Sequence, residues 1–380
     1  MHESTAPTTK ETEAPTLDSG EREGRVRLYA DLTKARLSAL VVMSAAVGYL
    51  LGLPRGVNWI EVVTRSIGRV FAGEFATAWS YVQFGLGTIN WQELVVLIAG
   101  VSLAAMGVNA LNQWMETPRD AAMHRTSQRP LPAQTIGRNE AFAAGSLMFL
   151  LGCGLVFFLT NPLAGSLTLL TGMLYLLCYT PLKPRTPMNT LVGALVGALP
   201  PMVGWSAAAE GLHLGAWVLG GILFAWQLPH FLALAWMYRD DYSRGGFRML
   251  PDADPTGQRT ARAILLSCLL LIPLGLMLTL ARVAGWTYAG TSFILGCGFV
   301  AATLLMLKHP SRESARKVFF ASIIYLPLLL TVMVVDQMRL PVAAQVVARD
   351  LQRARDQMSK DSNTESQTTV TRPVENGTDE

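Results

Sequence analysis

Residues 94–132 read LVVLIAGVSLAAMGVNALNQWMETPRDAAMHRTSQRPLP. The apolar run 94–108 passes without a break into Asn112, Glu116 and Asp120. These three recur every fourth residue and so share one face of a helix. An amide and two acids converging there are oxygen ligands suited to a hard cation such as Mg²⁺. Arg119, Arg125 and Arg129 come next, and the planar arginine fork suits phosphate. Because the segment emerges from an apolar run, its charges lie at or inside a membrane surface, where ionisable groups are costly and point to function. An ordinary charged helix end would account for the arginines but not for two acids and an amide in register. Pro118, between Glu116 and Asp120, predicts an interrupted helix with freed carbonyls and a re-aimed last ligand.

The whole chain agrees with that address. It has 380 residues, 51% hydrophobic and only 15% charged, where a soluble domain carries about 25% charged residues. The apolar residues gather in long runs, which predicts an all-α, polytopic membrane protein of about nine transmembrane helices in a bundle. The spans fall at about 37–53, 93–115, 140–159, 163–180, 190–209, 214–237, 262–281, 287–307 and 318–337. The net charge of +4 does not argue for nucleic acid, because the basic residues sit between apolar runs and not in one solvated patch. Cys153, Cys178, Cys268 and Cys297 all fall within the spans and, without CxxC or His spacing, are expected to be buried, inert thiols.

Lysine and arginine placement sets the expected orientation. One side collects Arg25, Arg27, Lys34, Arg36, Arg119, Arg125, Arg129, Arg138, Lys183, Arg185, Arg239, Arg244, Arg248, Arg259, Arg262, Lys308, Arg312, Arg316 and Lys317, against Arg55, Arg65, Arg69 and Arg282, plus Arg339 and the tail, on the other. The first side is therefore cytoplasmic, with the N-terminus inside and, for nine spans, the C-terminus outside. Residues 1–27 are polar and acid-rich, read as a disordered tail; lacking a signal or transit pattern, they favour a bacterial plasma (inner) membrane. A membrane domain spans 28–338. Within it, 58–92 is too apolar for a loop yet carries Arg65, Arg69 and Glu74, which predicts an outer-face insert with an interfacial helix; a tenth span, the alternative, would reverse everything downstream and spoil the charge bias. The tail 339–380 reads as an amphipathic helix over 341–358 followed by a disordered end.

Other constellations lie on the cytoplasmic side. Residues 226–250, WQLPHFLALAWMYRDDYSRGGFRML, place Asp240 and Asp241 at the end of a span beside Arg239 and Arg244. His230 shares a helix face with Leu234 and Tyr238 and lies roughly 16 Å deeper than Asp241; packing and ligand roles are both open to it. Residues 179–189, YTPLKPRTPMN, offer Lys183 and Arg185, and residues 29–37, YADLTKARL, offer Lys34 and Arg36. Snorkelling would explain these cations equally. Two acidic clusters ringed by cations at one membrane face fit a Mg²⁺-bound diphosphate whose apolar chain lies in the bilayer side. That points to a lipid-like diphosphate such as a prenyl donor.

The pattern N-x3-[DE]-x3-D followed by MxRTxxRPLP, set by Asn112, Glu116, Asp120, Met123, Arg125, Thr126, Arg129 and Pro130, resembles the intramembrane prenyltransferases of the UbiA superfamily. TKAR at 33–36, YTPLKPRTPMN, GALVGALPPMVGW at 193–205, WQLPHFLALAW at 226–236 and RDDYSRGGFRMLP at 239–251 resemble its protoheme IX farnesyltransferase (haem O synthase) branch. The PHF stretch separates that branch from quinone-type relatives. The resemblance covers about residues 29–336. It implies a nine-helix bundle around a central cavity and transfer of farnesyl from farnesyl diphosphate to a vinyl group of haem b. Water adds to the resulting cation, giving haem O and diphosphate.

The resemblance further implies Mg²⁺ held by Asn112, Glu116 and Asp120 from one side and by Asp240 and Asp241 from the other. Lys34, Arg36, Arg125, Arg129, Lys183 and Arg185 would bind diphosphate, and His230 with Tyr238 would contact haem. The implied partners are the two substrates, the lipid bilayer, and haem A synthase or terminal-oxidase assembly factors. Three features depart from the family pattern: Glu116 stands where Asp is usual, the second acidic motif is not D-x3-D, and the 58–92 insert is long. The alternatives are a related enzyme with a quinone or aromatic acceptor, and a transporter with charged gates. The latter predicts charges spread through the membrane depth or inverted repeats, neither of which the chain displays.

Overall fold

The computed structural model describes residues 19–53 and 59–337. Within them every element is a helix, apart from an isolated bridge between Ala284 and Gln337. In chain order they are α1 (Ser19–Leu32), α2 (Ala35–Gly52), α3 (Trp59–Phe71), α4 (Phe75–Leu86), α5 (Trp91–Ala122), α6 (Arg138–Leu159) and α7 (Pro162–Met173). A π-helical stretch, Leu174–Tyr179, and the single turn α8 (Thr180–Leu182) extend α7. There follow α9 (Asn189–Ala209), α10 (Leu214–Met237), α11 (Arg239–Arg244), α12 (Gln258–Leu280), α13 (Trp286–Lys308) and α14 (Arg312–Val335). The expected amphipathic helix at 341–358 lies outside the described residues.

Eight helices are long and apolar enough to cross a membrane, and Leu37–Gly52 is a shorter apolar helix where the first span was expected. At about 24 Å it is a little short of the ~30 Å hydrocarbon layer. Local chemistry marks the starts: Asn90 accepts from Glu93 N, Asn161 from Ala164 N, and Ser311 and Ser314 form a reciprocal capping box. These side chains satisfy donors that the first turn leaves unpaired.

The spans form two groups. The helices α2, α5, α6, α7 and α9 close a ring through the neighbours α5–α6, α6–α7, α7–α9, α9–α2 and α2–α5. The helices α10, α12, α13 and α14 make a second, four-membered bundle around Leu219, Ile264, Leu271 and Leu329, each fully buried. Packing of α9 on α10 joins the groups, and an apolar cavity lies within the ring with Gln227 and Phe231 of α10 closing one side. The α2–α9 crossing is a backbone contact: a Cβ at Gly48 would lie within van der Waals exclusion of Pro201 O, and one at Gly204 within that of Ala45 O. Outward positions such as Leu147, Leu150 and Phe158 are exposed and apolar, as a lipid-facing surface requires.

Four details differ from expectation. Pro118 does not break α5; Thr117 Oγ1 donates to Gln113 O at 2.8 Å and Trp114 O at 3.1 Å, so the carbonyl that proline deprives of a partner is satisfied. Residues 19–27, expected to be disordered, are helical, and the C-terminal carbonyls of α1 at Asp31 and Leu32 accept from the buried Gln113 amide. The 58–92 insert is a helical hairpin of α3 and α4 and not a single helix; Val62 packs against Tyr81 and Val82. All four cysteines are free, but Cys178 and Cys297 are exposed.

Candidate active site

At 32 residues, α5 is about 48 Å long, more than the hydrocarbon thickness. Its last turns therefore carry Asn112, Glu116 and Asp120 to one end of the ring, all three 4% exposed or less. Each meets a cation from a different segment. Lys34 Nζ donates to Asn112 Oδ1 at 2.8 Å, and the Asn112 amide donates to Thr180 Oγ1 at 3.1 Å. Lys183 Nζ lies 2.8 Å from Glu116 Oε1 and donates to Oε2 at 3.2 Å. Arg129 Nη1 donates to Asp120 Oδ2 at 2.8 Å, while Thr126 Oγ1 donates to Asp120 O.

The supporting segments are built to deliver these cations. Lys34 joins α1 to α2 in a left-handed conformation, φ 49°, uncommon for a residue with a side chain. The Gln113 bonds to α1 fix that junction against α5. Lys183 follows the π-helical stretch, whose extra residue per turn is a recurrent device at functional sites. Its loop is tied down by Arg248 N donating to Lys183 O and by Asn189 Nδ2 donating to Arg248 O, both at 2.8 Å. The Arg125 guanidinium lies over the rings of Tyr238 and Tyr242, 5.4 and 5.6 Å from their centroids, which orients it by cation–π attraction.

These groups enclose a cavity of about 150 Å³ lined by Lys34, Glu116, Asp120, Arg125, Arg129 and Lys183, with Leu37, Met123, Tyr179, Tyr242, Phe247 and Met249 completing the wall. Four cations face two carboxylates, leaving positive charge for an anion. Burial, and then the like charges of Arg129 and Lys183, bring Lys34 down to about 7. Burial also works against the Lys183 ammonium, but Tyr179 and the Glu116 carboxylate raise its pKa above the ordinary lysine value. A second cavity of about 250 Å³, bordered by Val101, Val108, Phe149, Val196 and Phe231, is almost wholly apolar. Leu37 and Tyr179 line both. The polar cavity thus abuts an apolar one inside the helix ring, the arrangement an amphiphilic anion with a hydrocarbon chain needs.

The family model for UbiA prenyltransferases matches residues 75–324. The chain belongs to the UbiA prenyltransferase family. It is 37% identical over 312 residues to the protoheme IX farnesyltransferase of Solibacter usitatus, covering 82% of this chain and 99% of that one. It is 40% identical to the protein of the same name from Opitutus terrae, covering 82% and 94%. In fold it is similar to a solved digeranylgeranylglyceryl phosphate synthase, with TM-score 0.64 at 17% identity over 82% of this chain and 98% of that one. It is also similar to a UbiA homologue from Archaeoglobus fulgidus bound to GPP and Mg²⁺, with TM-score 0.51 at 12% identity over 80% and 99%.

Not every residue singled out from the sequence reaches the polar cavity. The Asp240 side chain is 88% exposed, 3.6 Å from Arg239. Asp241 is buried but turned to the backbone: Oδ1 accepts from His124 N at 3.0 Å and from Arg244 Nη2 at 2.7 Å. Burial opposes its charge, and the Arg244 side chain with the His124 and Arg125 amides overrides that, holding the carboxyl below its usual range. Asp241 therefore clamps the loop bearing Arg125 and does not line the cavity. Arg185 is exposed, and the Arg36 side chain lies outside the described residues. His230 lines neither cavity; it is stacked between Trp226 and Phe319 with Nδ1 2.8 Å from Ser322 Oγ. Tyr238 is reached only through Arg125.

Sequence reading passed over Tyr179, Tyr242 and Phe247, although each lies inside a stretch quoted for its charges. Their signal was aromatic residues one to six positions from Lys183 or Asp241.

Among the described residues no three His, Cys, Asp or Glu side chains cluster as a metal cage. Mg²⁺ does not need one, since it commonly binds through one or two carboxylates and completes its shell with phosphate oxygens and water. Glu116 and Asp120, one turn apart and facing the polar cavity, fit that demand. Glu116 Oε1 is buried and accepts no hydrogen bond of good geometry, being held by charge alone 2.8 Å from Lys183 Nζ, so a metal would share this oxygen with the ammonium or displace it.

Proposed function

We propose that this protein transfers the farnesyl group of farnesyl diphosphate to a vinyl group of haem b, with addition of water, giving haem O and diphosphate. The observation that carries the reading is the junction of a four-cation cavity with an apolar one at Leu37 and Tyr179. Its acceptor rests on relatives named protoheme IX farnesyltransferase, similar over nearly their whole length.

In this reading Lys34, Arg125, Arg129 and Lys183 take the diphosphate oxygens, and the prenyl chain lies among Val101, Val108, Phe149 and Val196. Glu116 and Asp120, with Asn112 beside them, hold Mg²⁺, which when bound supplies neutralisation of the charge that develops on the departing diphosphate. Arg129 and Lys183 serve twice: they balance the carboxylates before substrate arrives and grip phosphate afterwards. Asn112 and Thr180 hold Lys34 at the cavity wall. The apolar cavity keeps bulk water from the allylic cation. The polar cavity opens toward the cytoplasm of a bacterial cell, following the one-sided distribution of lysine and arginine.

The test is to supply membranes carrying the chain with radiolabelled farnesyl diphosphate and Mg²⁺, plus either haem b or an aromatic acid. Label in a haem product supports the reading. Label only in the aromatic product would replace the acceptor and leave the diphosphate site standing.

A further inference from the structure

The apolar cavity contains a polar feature that holding a hydrocarbon chain does not require. Gln227 on α10 lines it and is 6% exposed. Its Nε2 donates to Leu223 O at 3.1 Å and to Ala194 O at 3.4 Å. Two carbonyl oxygens on that side settle which end of the amide is nitrogen, because an amide oxygen there would face two acceptors. The amide oxygen is left without a hydrogen-bond donor among the described residues, in a wall that is mostly hydrocarbon. An acceptor so placed is costly unless something donates to it.

Its position is defined by α9. The oxygen fills the space over Gly197, where a Cβ would lie 2.0 Å from Oε1, and one turn earlier the Tyr179 ring fills the space over Gly193, with Cε2 2.7 Å from such a Cβ. Successive notches on one helix face are about 6 Å apart along the axis. Tyr179 is where the two cavities meet, so the Gln227 oxygen sits about one helical turn inside the apolar cavity from the diphosphate site. Of the other polar side chains there, Thr168 and Thr171 donate to Ala164 O and Leu167 O and the Asn109 amide donates to Ser38 Oγ, which leaves the Tyr175 and Tyr179 hydroxyls beside Gln227.

We propose that Gln227 is a positioning residue for the water molecule added during transfer; this rests on the haem acceptor proposed above. The vinyl electron pair forms the bond to C1 of the farnesyl group as the C1–O bond to diphosphate breaks. Positive charge is then left on the vinyl carbon next to the porphyrin ring. A water molecule donating one hydrogen to Gln227 Oε1 keeps a lone pair for that carbon. The C–O bond forms and the released proton goes to the departed diphosphate, so one farnesyl diphosphate, one haem b and one water give haem O and protonated diphosphate. A neutral amide suits the task, since it directs water without placing a charge in the apolar wall. Without a held water the same cation loses a proton from the adjacent carbon and yields an alkene.

The test compares full-length wild type with Gln227→Leu, Gln227→Met and Gly197→Ala in membranes supplied with farnesyl diphosphate, Mg²⁺ and haem b. Mass spectrometry gives the ratio of hydroxylated to dehydrated prenyl-haem, and diphosphate release reports ionisation separately. Loss of one hydrogen bond predicts that the ratio falls roughly fivefold while diphosphate is still released. Gly197→Ala should do the same without changing residue 227, because the added methyl overlaps the amide and forces its oxygen out of place. A purely structural role for Gln227 would lower total turnover and leave the ratio unmoved, and that result in the three variants overturns the proposal. Absence of any prenyl-haem from the wild type would instead overturn the acceptor, and this proposal with it.

Discussion

Lys183 Nζ sits 2.8 Å from Glu116 Oε1, and both side chains are nearly buried. Removing one member of such a pair leaves an uncompensated charge, costing about 3–5 kcal/mol, whereas replacing both is far milder. Glu116→Gln should therefore unfold at a lower temperature than the Glu116→Gln/Lys183→Met double variant, read by thermal unfolding in detergent. In activity the order reverses. Glu116→Gln should lose on the order of 10²-fold in kcat, and the double variant should lose more, because diphosphate then lacks Lys183. Glu116→Asp withdraws the carboxylate by one methylene and should cost about tenfold. A double variant less stable than the single would contradict this account of the pair.

Asp240 and Asp241 are neighbours in sequence with opposite surroundings, exposed in one case and bonded to the His124 amide in the other. Asp240→Ala should leave the rate within about twofold, as expected of an exposed ion pair. Asp241→Ala leaves a backbone donor unpaired, costs about 1–3 kcal/mol of stability, and loosens the loop that aims Arg125. The measurable consequence is a raised KM for farnesyl diphosphate with an unchanged Mg²⁺ concentration for half-maximal rate. A shifted Mg²⁺ requirement would restore Asp241 as a metal ligand.

The contrast between those two aspartates shows what was legible in the sequence. Period-four spacing placed Asn112, Glu116 and Asp120 on one face because a helix has a single geometry. Span limits followed from composition, which the bilayer reads along the chain. Partnerships across the fold left no comparable trace: Lys34 reaches Asn112 over 78 positions, and Lys183 reaches Glu116 over 67. Pro118 misled because Thr117, one residue earlier, repairs the broken ladder through its hydroxyl, a local bond that residue type alone does not announce. The same limit applies to Asp241, whose partner is a backbone amide with no side-chain signature.

His230 illustrates membrane depth without a ligand role. Ser322 Oγ donates to Phe319 O, so its oxygen is free to accept from the His230 Nδ1–H, while Trp226 and Phe319 cover both ring faces. An imidazole enclosed in this way links α10 to α14. His230→Ala should lower stability by about 2 kcal/mol, measured by thermal unfolding. The absorption spectrum of the haem-bound protein should not change. Loss or displacement of the Soret band in that variant would mean that the ring reaches iron and that the packing account is wrong.

Asp254 connects the loop bearing Phe247 and Met249 to the start of α12. It is 2% exposed and accepts from Thr260 N at 2.8 Å, Thr260 Oγ1 at 2.9 Å and Thr256 Oγ1 at 3.2 Å. Burial pushes its pKa up, but these donors and the Gly257 amide outweigh burial and hold the carboxyl below its ordinary value. The folded pKa therefore lies under the unfolded value of about 3.9. Stability from this group is present above that unfolded value and is lost as pH falls through the folded one. Asp254→Asn, which cannot ionise, should be less stable than wild type at pH 7 by about 1 kcal/mol. The gap should persist down to about pH 5 and close below about pH 4, as the wild-type carboxylate protonates. Thermal unfolding of both proteins across that range checks the sign. A gap that widened on acidification would mean that Asp254 is protonated in the folded state and that another group anchors α12.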